Sequence, residues 1–249
     1  MRRFAIAPDR IAGGRVTFDA AESRHLTRAL RLKPGDTVVA SDGAGRDYTV
    51  RLDSIGARAT GTVLGVATRE AESPLAITLL QGVPKGDKME AIVRAATELG
   101  VARVVPVLTT RTVVRLTGGA AAARTERWRR VAREAAKQCG RAVVPDVATP
   151  EPLATALAAA REHELAVCLW EGRAAPLTAA LADAGRPRRA VALVGPEGGF
   201  ESAEVDAARR AGWRIATLGP RLLRTETAGP AIITILQLRF GDLGGDAGV

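Results

Sequence analysis

The stretch "VALVGPEGGFESAEVDAARRAG", Val191 to Gly212, reads as a buried strand that breaks at Gly195 and restarts as an amphipathic helix near Ser202. Between them lies a loop with three glycines, one proline and one carboxylate. A glycine-rich turn between strand and helix usually holds a nucleotide-like ligand in an α/β protein. The known phosphate-binding versions do not fit. A dinucleotide fingerprint needs glycine where Glu197 stands, and a phosphate loop closes on Gly-Lys-Ser/Thr whereas "GPEGGF" ends in Phe200. Glu197 would also repel a pyrophosphate at close range. The loop predicts a ligand that is neutral or cationic where it meets the chain.

A second loop of the same design follows. "LGPRLLRTETA", Leu218 to Ala228, places Gly219 and Pro220 after the strand-like "RIATLG" and opens a last helix, "ETAGPAIITILQLRF". Upstream, strand-like and helical runs alternate from "AITLLQGV" and "DKMEAIVRAATELG" through "VARVVPVLT", "AAAARTERWRRVAREAAKQCG" and "ELAVCLW" to "RAVALVG". Alternation of this kind predicts a mostly parallel sheet covered on both faces. Gly100 is expected to close the first of these helices. The polar segment "TREAESPLA", Thr68 to Ala76, is the best boundary, and short runs with turn punctuation precede it. There Asp42-Gly43 is expected to join two strands of a small sheet or barrel. One helix interrupts it around "AESRHLTRALRL", with Leu26, Ala29 and Leu30 on its apolar face. "GDLGGDAGV" is expected to be a frayed tail.

Composition narrows the function class. The 249 residues are 47% hydrophobic, enough for a real core, and carry a net charge of +9. From Arg2 to Lys33 eight Lys/Arg stand against three Asp/Glu, and from Arg103 to Arg141 ten against two. Two basic zones favour a nucleic-acid partner. Two cysteines and two histidines exclude a disulfide framework and supply no metal-ligand cluster. The N-terminus has no secretion signal and no membrane-length apolar run follows, so a soluble cytoplasmic protein is expected.

The paired loops resemble those of the ribosomal RNA small-subunit methyltransferase E family. "HLTRALRLKPGD", "PKGDKMEAIVRAATELGVARVVPVLTTRTVV" and "KQCGR" extend the resemblance over nearly the whole chain. It implies an α/β protein with a PUA-like RNA-binding β-barrel over residues 1–70 and a SPOUT domain with a trefoil knot over 75–243. It also implies S-adenosylmethionine as cofactor, no metal, methylation of uridine N3 in 16S rRNA of the small subunit, and a homodimer. One departure is Gly229-Pro230 early in the last helix, where proline suits only the first turn.

Within that resemblance Gly195, Gly198, Gly199 and Gly219 are expected to let the cofactor approach the backbone. Leu218, Leu223 and Leu169 would wall its adenine, with Glu197 pairing an arginine or accepting a hydrogen bond. Arg221 or Arg224 would stabilise charge on the uracil, and Glu226 or Glu197 would take its proton, unless Glu226 simply favours the helix start. His25, Arg28, Arg31, Lys85, Lys88 and Arg141 are candidate RNA contacts, with Arg127 as a further face. Trp128 is expected in the core, with Val131, Ala135 and Cys139 beside it, and His163 at the surface. A binding-only RNA module, a nucleotide-dependent enzyme, and a methyltransferase acting on tRNA or a ribose hydroxyl are the rival readings.

Overall fold

The computed structural model describes residues 3–68, 72–114 and 119–245. The chain forms two compact units, Met1–Glu72 with Ala136–Val144, and Ser73–Ala135 with Pro145–Val249.

Six strands build the first unit: β1 Arg3–Ala5, β2 Ile11–Ala12, β3 Arg15–Thr17, β4 Thr37–Ser41, β5 Arg46–Ser54 and β6 Thr60–Thr68. Their order is β1-β4-β5-β6-β3-β2, antiparallel throughout except for β1 on β4. The hydrogen-bonded path ends at β1 and β2, so the described residues make an open sheet rather than a closed barrel. Period-two alternation buries Val38 and Ala40 on β4 and Tyr48, Val50 and Leu52 on β5. The β4–β5 connection does turn at Asp42-Gly43. Asp42 Oδ1 accepts from the Ala44 and Arg46 N–H groups at 2.8 and 3.0 Å, and Gly43 and Gly45 adopt φ of 68° and 99°.

Helix α1, Ala20–Arg24, is capped by Asp19, which accepts from the Glu22 N–H at 2.8 Å. It runs on as a π-helical turn over His25–Ala29 and stops at Arg31, whose φ of 51° is left-handed. The apolar face expected there is corrected by that winding. Leu26 is fully buried and Leu30 half-buried, but the wider turn carries Ala29 to the surface.

The second unit is a wholly parallel sheet: β7 Ala76–Gly82, β8 Val101–Leu108, β9 Asp146–Val147, β10 Glu151–Pro152, β11 Leu165–Leu169, β12 Ala175–Pro176, β13 Arg189–Val194 and β14 Arg214–Thr217. The main path runs β10-β8-β7-β13-β11-β14-β12, with β9 on β8. β11 is buried along its whole length and β13 from Ala190 to Val194, as strands covered on both faces require.

Around the sheet lie α2 Lys88–Glu98, α3 Gly119–Cys139, α4 Leu153–Ala156, α5 Leu177–Ala180, α6 Ser202–Arg210 and α7 Thr225–Phe240. Neighbours on β7 serve opposite faces. Leu80 joins Val105, Val191 and Leu193 under Val205 of α6, while Leu79 meets Gly229 of α7. Gly100 closes α2 with φ 84° and its N–H on the Thr97 carbonyl.

On α3 the buried stripe passes through Trp128, Ala132, Ala135 and Ala136, and Val131 is half-buried. Cys139, the last residue of α3, is exposed although it lies on the same stripe. The final segment lies partly outside the described residues.

Candidate active site at the carboxyl ends of the parallel strands

The carboxyl ends of β11, β13 and β14 open on a cleft of about 630 Å³. Open parallel sheets place ligands at this end. Leu169 to Glu171 line it after β11, Gly195 to Gly199 after β13, and Thr217 to Glu226 after β14. The structure thus brings together all the expected cofactor residues (Leu169, Gly195, Glu197, Gly198, Gly199, Leu218, Gly219 and Leu223) with Arg221, Arg224 and Glu226. Lys88 completes the lining from the start of α2.

The glycines do not all act as the sequence suggests. A Cβ on Gly195 would stand 3.2 Å from Gly199 and from the Phe200 ring, and one on Gly198 would stand 3.2 Å from Arg111 Cβ. Gly199 has φ of 67°, and its Cβ would collide with the Glu171 carboxylate. These three let the loop fold on itself and its neighbours; the space their missing side chains leave belongs to protein, not ligand. Gly219 differs, with φ of 122° and open space at its Cβ position. Gly82, which no motif singled out, ends β7 where the second loop residue crosses over: its Cβ would lie 2.5 Å from Pro196 N.

The charges of the cleft are paired around Lys88. Its ammonium lies 3.0 Å from Glu197 Oε1 and 3.4 Å from Glu226 Oε2, and the Lys85 N–H donates to Glu197 at 3.1 Å. Glu197 chiefly, and then Glu226, raise the Lys88 pKa above its ordinary 10.5 against the effect of burial. Burial pushes the Glu197 carboxyl upward, but its own N–H, Lys88 and the Lys85 N–H outweigh that and hold it below 4.5. Lys88 is therefore a cleft residue clamped by two carboxylates, and Lys85 contributes its backbone there. Lys88 is thus not the freely offered phosphate contact expected of it, whereas the Lys85 side chain is exposed. Arg221 and Arg224 are exposed and have no carboxylate partner among the described residues.

Elsewhere, His25, Arg28 and Arg31 are exposed in the first unit, on the π-helical turn and just after it. Arg141 is not an open surface cation: its guanidinium grips Glu72 with only 9% of the side chain exposed. Arg127 pairs with Glu90 at 2.7 Å. Trp128 is 3% exposed and belongs to the core. His163 is half-buried, its ring nitrogens facing Ala159 O at 2.7 Å and Thr78 Oγ1 at 3.1 Å, so it tethers a loop to the sheet. Cys168 lies in β11, where burial pushes its thiol to about 12 and leaves it inert.

Sequence reasoning missed two residues at the back of the cleft. Gln81 and Thr225 are buried and bonded to each other at 2.9 Å, and Thr225 Oγ1 donates to the Gly195 carbonyl at 2.6 Å. Glu171 lines the cleft against Gly199. The one available signal was the lone amide in the apolar run "AITLLQG".

Comparison with known proteins bears directly on this cleft. An RNA methyltransferase domain matches residues 71–237, and an RNA methyltransferase PUA domain matches residues 18–59. The ribosomal RNA small subunit methyltransferase E of Synechocystis is 34% identical over 91% of this chain and 74% of its own length. That of Bacillus subtilis is 29% identical over 90% of both. The crystal structure of the Neisseria gonorrhoeae ribosomal RNA small subunit methyltransferase E, bound to S-adenosyl methionine, superposes with a TM-score of 0.86 at 35% identity, covering 98% of this chain and 99% of the other. A putative methyltransferase from Legionella pneumophila in complex with the same cofactor gives 0.88 at 27% identity, covering 97% and 98%. With its glycine loops, its clamped lysine and these likenesses over almost its full length, the chain belongs to the ribosomal RNA small subunit methyltransferase E family of RNA methyltransferases.

Proposed function

We propose that this protein uses S-adenosylmethionine to methylate N3 of a uridine in the 16S rRNA of the small ribosomal subunit. The cleft is the observation that carries the reading. Its volume suits a small-molecule ligand, Leu169, Leu218 and Leu223 offer apolar walls for an adenine, and Glu171, Glu197 and Glu226 offer anions to a cationic group. Gly219 leaves open space on one wall. When bound, the cofactor supplies an electrophilic methyl group carried on a sulfonium.

The residues of the chain divide the remaining work. Uracil N3 carries a hydrogen at neutral pH, so a proton must leave as the N–C bond forms, and charge spreads onto O2 and O4. Arg221 and Arg224, without carboxylate partners among the described residues, suit that developing charge. Glu226 takes the N3 proton; its alternative role, favouring the start of α7, makes a separate prediction below.

The first unit serves as the RNA-binding domain, presenting His25, Arg28 and Arg31 to phosphates. The second unit threads a trefoil knot; in support, the chain leaves β14 and returns in α7 to pack on β7 and β13. Two copies pair through α7, whose Leu238 is 64% exposed, and through Leu222 in the neighbouring loop at 81%. The test is nucleoside analysis of 16S rRNA from a strain lacking the protein. One N3-methyluridine should vanish and return on complementation; its persistence would overturn the assignment.

A further inference from the structure

We infer that Gln81 is a positioning residue, locking the start of α7 to the Gly195 loop and so setting where Arg224 and Glu226 stand over the cleft. The catalytic part of this rests on the function proposed above; the mechanical part does not.

Gln81 is fully buried near the end of β7, with β8 and β13 on either side. Its Nε2 donates to Thr225 Oγ1 at 2.9 Å and Gly82 O at 3.1 Å, and lies 3.5 Å from Gly195 O. Two of these three are carbonyl oxygens, so the amide nitrogen must face them. The Thr225 hydroxyl gives its one proton to Gly195 O at 2.6 Å and accepts from Gln81. One side chain thereby joins the end of β7, the loop after β13 and the first residue of α7.

The other half of the amide has no such reward. Gln81 Oε1 is buried and has no hydrogen-bond partner among the described residues. It lies against Gly229, where an added Cβ would come within 3.0 Å. For stability alone, a leucine of similar volume would cost this site little, since it removes the orphaned Oε1 in exchange for the bonds to Gly82 O and Thr225 Oγ1.

What the amide supplies is placement, and α7 needs it. Its N-cap, Arg224, makes no side-chain cap, and Pro230 gives no N–H to the Glu226 carbonyl four residues before it. The first turn closes on the Arg224 carbonyl, which accepts from the Thr227 and Ala228 N–H groups at 2.9 Å, but the bond to the Glu226 carbonyl is missing. The tie through Thr225, flanked by Arg224 and Glu226, holds it from outside.

The test compares Gln81→Leu, Thr225→Val, Thr225→Ser and the double variant Gln81→Leu/Thr225→Val. Gln81→Leu should largely keep the thermal midpoint, yet speed hydrogen exchange of the Thr227 and Ala228 amides in the cofactor-free protein. Single-turnover methylation at saturating cofactor should fall about tenfold to a hundredfold, the range a misplacement of about 1 Å can cost. Thr225→Val should match it, Thr225→Ser should retain wild-type behaviour, and the double variant should be no worse than either single one. Wild-type exchange in Gln81→Leu overturns the inference, as does a rate that falls only with the folded fraction. Faster exchange with an unaltered rate, together with an unimpaired Arg224→Ala enzyme, would leave the mechanical tie standing and refute the catalytic reading of the α7 start instead.

Discussion

Glu197 carries opposing influences: burial favours its neutral form, while its own N–H, Lys88 and the Lys85 N–H favour the carboxylate and prevail. The sign of the pH dependence follows. A carboxyl held below 4.5 in the folded protein stabilises it above that pH, and the contribution disappears as pH falls through the folded value. Lys88, raised above 10.5, keeps its side of the pair until pH climbs through its own folded value. Glu197→Gln should therefore lower the thermal midpoint at pH 7, and the gap to wild type should close below about pH 4.5, the ordinary carboxylate value. A gap that stays constant down to pH 3 or so would mean the pair contributes nothing. The arginines make a different forecast. A donor aimed at developing charge is worth about 3 kcal/mol, so Arg224→Ala, or failing that Arg221→Ala, should cut single-turnover methylation roughly a hundredfold while RNA and cofactor still bind. For Glu226→Gln, a slowed reaction that loses the low-pH limb of its rate profile marks a base. Lower stability with an unaltered profile marks a helix-start residue.

Helix α7 is the element on which the cleft depends, and its sequence defies helix propensity at Gly229-Pro230. Packing explains the glycine. An added Cβ would meet Gln81 Oε1 at 3.0 Å, Leu79 at 3.6 Å and Ile92 at 3.7 Å, so only glycine lets α7 lie this close to β7 and α2. Gly229→Ala sets two magnitudes against each other. Alanine improves helix propensity by about 1 kcal/mol, while overpacking a filled core costs about 1–3 kcal/mol. Overpacking should win because Gln81 is clamped and cannot swing aside, and thermal unfolding should show a net loss. A stabilised Gly229→Ala variant would show that the interface relaxes easily. Helix α6 needs no such compromise: Glu201 and Glu204 form a reciprocal capping box, and Glu204 also accepts from the Thr110 N–H at 2.8 Å.

Across the whole molecule, the +9 charge is less available to a partner than its count implies. In the basic run from Arg103 to Arg141, Arg103, Arg127, Arg129, Lys137 and Arg141 all pair with carboxylates. Arg130 and Arg133 remain exposed. The N-terminal cluster differs, since Arg28 is exposed on a π-helical turn, a rare winding that often marks functional positions, and the left-handed Arg31 is exposed just after it. Replacing both by alanine should weaken RNA binding and flatten its salt dependence. For two lost phosphate contacts the slope of log K against log salt should fall by roughly 1.4 to 1.8, with cofactor affinity intact. An unaltered slope would move the RNA to the Arg130–Arg133 face.

The sequence by itself determined the strand, loop and helix around Gly195, its counterpart around Gly219, the alternation of the parallel sheet and the Asp42-Gly43 hairpin. Each is a local matter, set by hydrophobic period and turn chemistry within a few residues. It also picked out the lining of the cleft, because parallel strands all point their carboxyl ends one way and so gather their following loops. Partners distant along the chain were beyond its reach. Lys88 reads as a surface cation until Glu197 and Glu226 close on it across 109 and 138 positions. Arg141 reads likewise until Glu72 takes it. Gln81 reads as an oddity in a strand until Thr225, 144 positions on, comes within hydrogen-bond distance. Only the tertiary structure decided these, because a charge or an amide has no fixed role until its neighbours are known, and sequence periodicity carries no record of which distant residue will be next to it.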